Sequence, residues 1–360
     1  MNFLINWLPT ILVFVLMLGL LVFVHELGHF LAARISGMEV KEFAFGFPPR
    51  IWSKKYKGTR YAINLFPIGG YVRILGEDEK SSDPNAFGNK RIRSRIFVIV
   101  AGVLMNFVLA FFCLMILFWC SYPPLVSKIE SYNGKVISNS GGLFIESIEE
   151  GSLAQEHDIQ QGDIIESVNN LKTPTVKEIK DAVAEKVNGS IILEIKRGDE
   201  SISKNIEIKG KDRLGVGLWE KMPKVKYTWW KVPYYAALET ARTTYHATVA
   251  ILGFFKNLIF DQKIEADVVG PVGLFGITSS AVKLGFGYIL TLTILLTINL
   301  GIINILPFPA LDGGRLVFLI VEKIRGKKVA ESVEGVIHSI GFWLLIVLMI
   351  LIAVRDIIKL

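Results

Sequence analysis

The sequence predicts a polytopic α-helical membrane protein with four transmembrane helices, a membrane-associated β-hairpin and one external α+β domain. Three observations carry this. First, the 360 residues are 51% hydrophobic yet 20% charged, with a mean hydropathy of +0.45, so apolar and charged residues must be segregated if the chain is to fold. Second, they are. Four apolar runs, about Ile11–Ala33, Ile96–Cys120, Tyr288–Leu306 and Ile340–Val354, alternate with polar blocks. A helix of roughly 20 apolar residues crosses a hydrocarbon core about 30 Å thick. Third, one polar block, from about Leu125 to Lys211, has the texture of a water-soluble domain.

The first run is not read as a cleaved signal peptide. No basic segment precedes it, the run is long, and no small-x-small cleavage site follows. The second run carries one strongly polar side chain, Asn106, and both cysteines, Cys113 and Cys120, read as small buried thiols rather than a disulfide framework. The net charge is +7, but the basic residues flank the spans. There are 13 Lys and Arg from Arg34 to Arg95 and five from Arg315 to Lys328. The positive-inside rule puts both loops in the cytoplasm, with the N-terminus, the segment after Cys120 and the C-terminus outside. A nucleic-acid partner is not expected; the bilayer is.

In chain order, residues 1–36 form the first transmembrane helix and 37–91 the β-hairpin with a cytoplasmic loop. Its strands, around Val40–Phe45 and Tyr61–Leu65, alternate and are punctuated by Gly46-Phe47-Pro48-Pro49 and Pro67-Ile68-Gly69-Gly70-Tyr71. Residues 92–120 form the second span. Residues 121–213 make the external domain, with short β-branched strands, a helix over Val176–Val187 and a Gly198-Asp199 turn. Residues 214–265 hold a Trp- and Tyr-rich amphipathic helix at the outer interface. Residues 266–315 contain a glycine-rich motif and the third span, and 316–360 a cytoplasmic loop and the fourth.

The chemistry starts at His25-Glu26-Leu27-Gly28-His29. Residues four apart share a helix face, so both imidazoles can reach one ion, and the intervening Glu26 is placed to act as general base. Ionisable groups inside an apolar helix are costly, which marks them as functional. A catalytic zinc takes three protein ligands and leaves one position open. Asp312, in Asn304-Ile305-Leu306-Pro307-Phe308-Pro309-Ala310-Leu311-Asp312-Gly313-Gly314 at the end of the third span, is the candidate third ligand. His157, His246 and His338 show no ligand-like partners and read as surface or interfacial residues.

With these motifs in this order, the whole chain resembles the site-2 proteases, in particular the bacterial regulator-of-sigma-E type with a single PDZ domain. That resemblance implies an intramembrane zinc metalloendopeptidase of the bacterial inner (cytoplasmic) membrane, acting in regulated intramembrane proteolysis. One Zn2+ per chain would be held by His25, His29 and Asp312, with Glu26 as base and the active site near the cytoplasmic face. Asn304, Pro307, Pro309, Gly69, Gly70 and Tyr71 would bind substrate, the last three on a membrane-reentrant β element. The substrates implied are single-span transmembrane proteins such as anti-sigma factors or signal-peptide remnants. Gly270-Pro271-Val272-Gly273 matches a motif of the family. Gly102 and Asn106 match a second-span pattern in which Val103 stands where proline is usual. The external domain is then PDZ-like. Its Gly141-Gly142-Leu143-Phe144-Ile145 segment either captures a peptide C-terminus by strand addition or belongs to a size filter. A scaffold with a structural zinc would want four ligands, usually including Cys, and no Cys lies near either motif. An ion transporter would be supported by inverted repeats, and none is evident.

Overall fold

The computed structural model describes residues 2–77, 79–138, 143–149, 151–172, 176–185, 189–198, 200–208, 214–220, 222–257 and 269–358. It divides into two units, Met1–Ile116 with Pro233–Leu360, and Leu117–Val232.

In the first unit, helix α1 spans Asn2–Ile35. Strands β1 (Val40–Tyr56) and β2 (Thr59–Ile74) follow. These are not a simple hairpin. Phe43 pairs with both Val72 and Tyr61, and Ala44 with both Tyr71 and Ala62, while Tyr61 and Ala62 also pair with Lys54 and Ser53. Two long strands thus fold back into a four-segment sheet ordered 50–56, 59–63, 42–45, 70–74, with the last segment at an edge. The return requires sharp bends, one at Gly69, where φ is +112°, a conformation glycine adopts at little cost. Helix α2 spans Ile92–Trp119.

The second unit holds β3 (Lys135–Ser138), β4 (Leu143–Ile148), the one-turn α3 (Leu153–Glu156), β5 (Ile164–Val168) and β6 (Leu171–Lys172). Then come α4 (Val176–Glu185), β7 (Gly189–Arg197), β8 (Glu200–Ile208), β9 (Val216–Glu220) and β10 (Lys224–Lys226). The main sheet runs β8-β7-β5-β4-β9, with β6 on β5, and β3 pairs with β10. Three alternate residues of β7, Ile191, Leu193 and Ile195, are buried over a core shared with Leu143, Ile145, Ile165 and Ile206. This is the alternation of a sheet with one wet face. The sheet reaches past 213, because β9 pairs along β4 from Leu143↔Glu220 to Ile148↔Val216. Gly141, Gly142 and Asp199 lie outside the described residues. The strand that follows them, β4, is flanked on both sides by β5 and β9 and so offers no edge for strand addition. Among the described residues the outer strands of this path are β8 and β9, and β9 is the one beside β4.

The first unit resumes with α5 (Val232–Lys256), α6 (Pro271–Leu284), α7 (Phe286–Ile305), α8 (Asp312–Arg325) and α9 (Glu331–Ile358). Among the described residues, four helices are long and apolar enough to cross a membrane: Trp7–Ile35, Ile92–Trp119, Phe286–Ile305 and Ser332–Ile358. They contain the four expected runs, apart from one terminal residue at the second and one at the third. A shared core of Ala32, Ala33, Val40, Ile74, Val98, Ile99 and Leu319 joins the end of α1, the sheet, α2 and α8. One expectation about cysteine is corrected: Cys113 is buried, but Cys120 is exposed, because α2 ends at Trp119 and leaves it in the following turn.

Candidate metal centre

His25 and His29 lie one helical turn apart on α1, where successive turns stack side chains on one face. His25 is 6% exposed. The His29 ring fits because Gly102 of α2 has no side chain: a Cβ there would sit 2.3 Å from His29 Nε2. His29 Nδ1–H donates to the Val98 carbonyl at 2.9 Å, since a carbonyl can only accept, and this leaves the Nε2 lone pair facing inward.

Asp312 does not end the third span, as the sequence reading had it. The helix α7 stops at Ile305, and Asp312 opens α8. Proline disfavours a helical conformation in the residue before it, and Leu306, before Pro307, has ψ 143°. The chain therefore leaves the helix at Leu306, bends at Pro307, turns over Phe308–Leu311 and restarts as α8. A carboxylate in a helix's first turn is favoured by the unpaired N–H groups there.

Three donor atoms converge. His25 Nε2 and His29 Nε2 are 3.2 Å apart, and Asp312 Oδ2 lies 3.1 Å from the first and 3.3 Å from the second. Ligands about 2.05 Å from a tetrahedral zinc are separated by about 3.3 Å, so the triangle has the size such an ion needs. Asp312 Oδ2 is buried without a hydrogen-bond partner. A carboxylate oxygen enclosed with two imidazole lone pairs is a set of acceptors that a bound cation reconciles.

Asn106 of α2, fully buried, contacts His25 Nδ1 at 3.2 Å through its amide. A metal-bound Nε2 requires a proton on Nδ1 and hence an acceptor beside it. A half-turn of the Asn106 amide supplies one, bringing its otherwise unpartnered Oδ1 to that nitrogen. The donor set fits zinc.

A cavity of about 330 Å³ opens on this centre, lined among others by His25, Glu26, His29, Tyr71, Asp312 and Arg315. Glu26 is on the same wall as the ligands, and the backbone of Gly70 backs onto it: a Cβ there would be 3.5 Å from Glu26 Cγ. Asn304 reaches His25 Nε2 at 3.4 Å through its amide nitrogen. Pro307 is exposed, and Pro309 meets Gly341 of α9. The structure thus brings together His25, Glu26, His29, Asp312, Asn304, Gly70 and Tyr71, whereas Gly69 backs onto Phe47. Two features escaped the sequence reading: His338, whose Nδ1 meets the Ala310 amide at 2.8 Å, and Arg95, which grips Glu322 of α8 through two hydrogen bonds of 2.9 and 2.5 Å. Neither belongs to a motif; each joins residues remote in sequence.

The model of peptidase family M50 matches residues 13–348. The chain belongs to that family. A relative from Fusobacterium nucleatum, named as a zinc metalloprotease, is 34% identical over 98% of this chain and 99% of its own length. Zinc metalloprotease RasP of Shouchella clausii is 29% identical over 98% and 99%. The regulator of sigma-W protease RasP of Bacillus subtilis is 28% identical over 97% and 98%. That last alignment runs over 432 residues against 360 here, so RasP carries segments this M50 peptidase lacks. The chain is a zinc metalloprotease with four candidate membrane spans and a β-rich second unit.

Proposed function

We propose that this M50 peptidase is an intramembrane zinc endopeptidase of regulated intramembrane proteolysis, cutting single-span proteins inside their transmembrane segments. The observation that carries this is the triangle of His25 and His29 on the apolar α1 with Asp312 at the start of α8, beside Glu26 and a sheet edge. Burying ionisable groups in such a helix is expensive unless they are used. The helices α1, α2, α7 and α9 display broad apolar surfaces, Leu12, Leu16, Phe112, Leu344 and Leu348 among them, which a bilayer would cover.

His25, His29 and Asp312 would hold a zinc ion, whose Lewis acidity would lower the pKa of a water and polarise a carbonyl. Glu26 takes the proton of the attacking water and returns it to the leaving amine. A helical substrate hides its peptide bonds in its own hydrogen bonds, so it must be unwound. The 70–74 edge of β2 offers unpaired backbone groups for an extended segment to join, and places that segment along Glu26. Gly69, Gly70 and Tyr71 bind it there, Asn304 orients the backbone at the metal, and Pro307 and Pro309 shape the connector presenting Asp312. The basic loops put this site at the cytoplasmic side of a bacterial inner membrane, with the second unit outside as a PDZ-like domain. If that domain captures a peptide C-terminus, the place is the β9 edge beside α4; as a size filter it needs no edge. Anti-sigma factors and signal-peptide remnants are the substrate classes the reading favours.

The test uses purified wild-type and Glu26→Gln protein in proteoliposomes with a panel of single-span proteins. Glu26→Gln should retain one zinc per chain and cut at least about 100-fold more slowly, the smallest loss general-base removal usually brings. Equal cleavage by the two proteins refutes the assignment.

A further inference from the structure

His338 is not accounted for by the metal ligands or by the base. It lies on α9, its side chain 19% exposed and its ring 5.5 Å from that of Phe318 on α8. Its Nδ1 is 2.8 Å from the backbone nitrogen of Ala310. An amide N–H can only donate, so the imidazole accepts. Ala310 has φ +74°, a left-handed conformation that strains a non-glycine residue and persists only where surroundings enforce it. It is two residues from Asp312. The other amides of this connector are satisfied locally, Phe308 N–H by the Leu306 carbonyl and Leu311 N–H by the Phe308 carbonyl. Ala310 alone among these three turns to a side chain from another helix. Glu334 on α9 lies 3.9 Å from the far ring nitrogen, and Glu77 and Arg315, paired with each other, line the same cavity as His338.

We propose that His338 is a positioning residue: by accepting from Ala310 it holds the strained turn that sets the Asp312 carboxylate against His25 and His29. This rests on the metal-centre reading above. Its effect is on zinc affinity, and it works through an acceptor at the Nδ1 position rather than through ring packing.

Two variants separate those causes. His338→Phe keeps a ring against Phe318 and has no acceptor; His338→Asn loses the ring but places Oδ1 near the original acceptor position. Zinc affinity is read by chelator competition on detergent-purified full-length protein, with helical content by circular dichroism as the control for folding. Expected is a zinc Kd at least about 10-fold weaker for His338→Phe, the lower end for loss of an outer partner, and a value within about threefold of wild type for His338→Asn. Wild-type affinity in His338→Phe, or equal weakening in both variants, overturns the proposal. Asp312→Ala is the separating arm: if it binds zinc like wild type, the metal-centre reading itself fails, whereas its loss of zinc leaves the His338 variants to decide the present question alone.

Discussion

At the scale of single residues, the metal centre depends on one absent side chain and one buried amide. Gly102→Ala puts a methyl group 2.3 Å from His29 Nε2, far inside van der Waals contact. The ring must rotate away from the triangle, and zinc binding and proteolysis should fall together while the four helices survive. Asn106→Leu removes the group that selects the His25 tautomer and should weaken zinc about 10- to 100-fold, read by chelator competition. Asn106→Asp, which keeps an acceptor, should bind more tightly than the leucine variant. Parity between Leu and Asp would show that Asn106 contributes volume alone. The pair His25 and His29 was legible from sequence because helical spacing is local. Asp312 was legible as a residue but not in its setting: the reading ended a helix at the acid, whereas Pro307 and Pro309 end that helix earlier and the acid starts the next. His338 was illegible, because its partner is a backbone amide whose availability depends on the turn at Ala310.

At the scale of elements, two polar ties hold helices that apolar packing alone would leave free to slide. Asp356, near the end of α9, accepts from the Gly270 amide at 3.2 Å and the Gly273 amide at 2.8 Å, capping α6 with a carboxylate from a distant helix. The first-turn amides of α6 have no intrahelical partner, and a negative group there is favoured by the helix dipole. Asp356→Ala should cost about 1–3 kcal/mol and lower the thermal unfolding midpoint in detergent. Asp356→Asn should lose less. This gives the Gly270-Pro271-Val272-Gly273 motif a local reason: a Cβ at Gly270 would lie 2.6 Å from Asp356 Oδ2. The second tie is Arg95 with Glu322, whose side chains are 6% and 13% exposed. It anchors α8, and with it Asp312, to α2. Removing one partner of a buried pair costs about 3–5 kcal/mol, whereas replacing both with apolar residues is often neutral. Arg95→Leu should therefore unfold more readily than the double variant Arg95→Leu/Glu322→Leu. The four apolar helices were legible from run length. The fold-back of β1 and β2 into four segments was not, because two pairings of one strand look the same as one in an alternating pattern.

At the scale of the molecule, the two units call for separate tests. The second is held in part by Asp163, 1% exposed, which accepts from Arg197 Nε and Nη2 at 2.8 Å each and from the Gln160 amide at 2.9 Å. Burial raises its carboxyl, but Arg197 and the Gln160 amide outweigh it and hold the group below the usual carboxylate range. A depressed carboxyl contributes stability above its unfolded value near 4, and that contribution is lost as pH falls through and below that value. Amide exchange in β5 and β7 should therefore accelerate as pH is lowered from about 5 to 3, after correction for intrinsic rates. Asp163→Asn should exchange faster at neutral pH and show little of that slope. The β-rich block between the second and third apolar runs was legible from composition; its extent was not, because β9 looks like the start of a linker until β4 is seen to pair with it.

The three proposed ligand atoms come from positions 25, 29 and 312, so the centre joins segments far apart along the polypeptide. A ribosome releases this chain from the N-terminus onward, and through most of that process two imidazoles stand ready without the carboxylate that completes them. On the proposed ligand set, a copy that stops short of Asp312 lacks the one carboxylate of the triangle and so holds no complete centre.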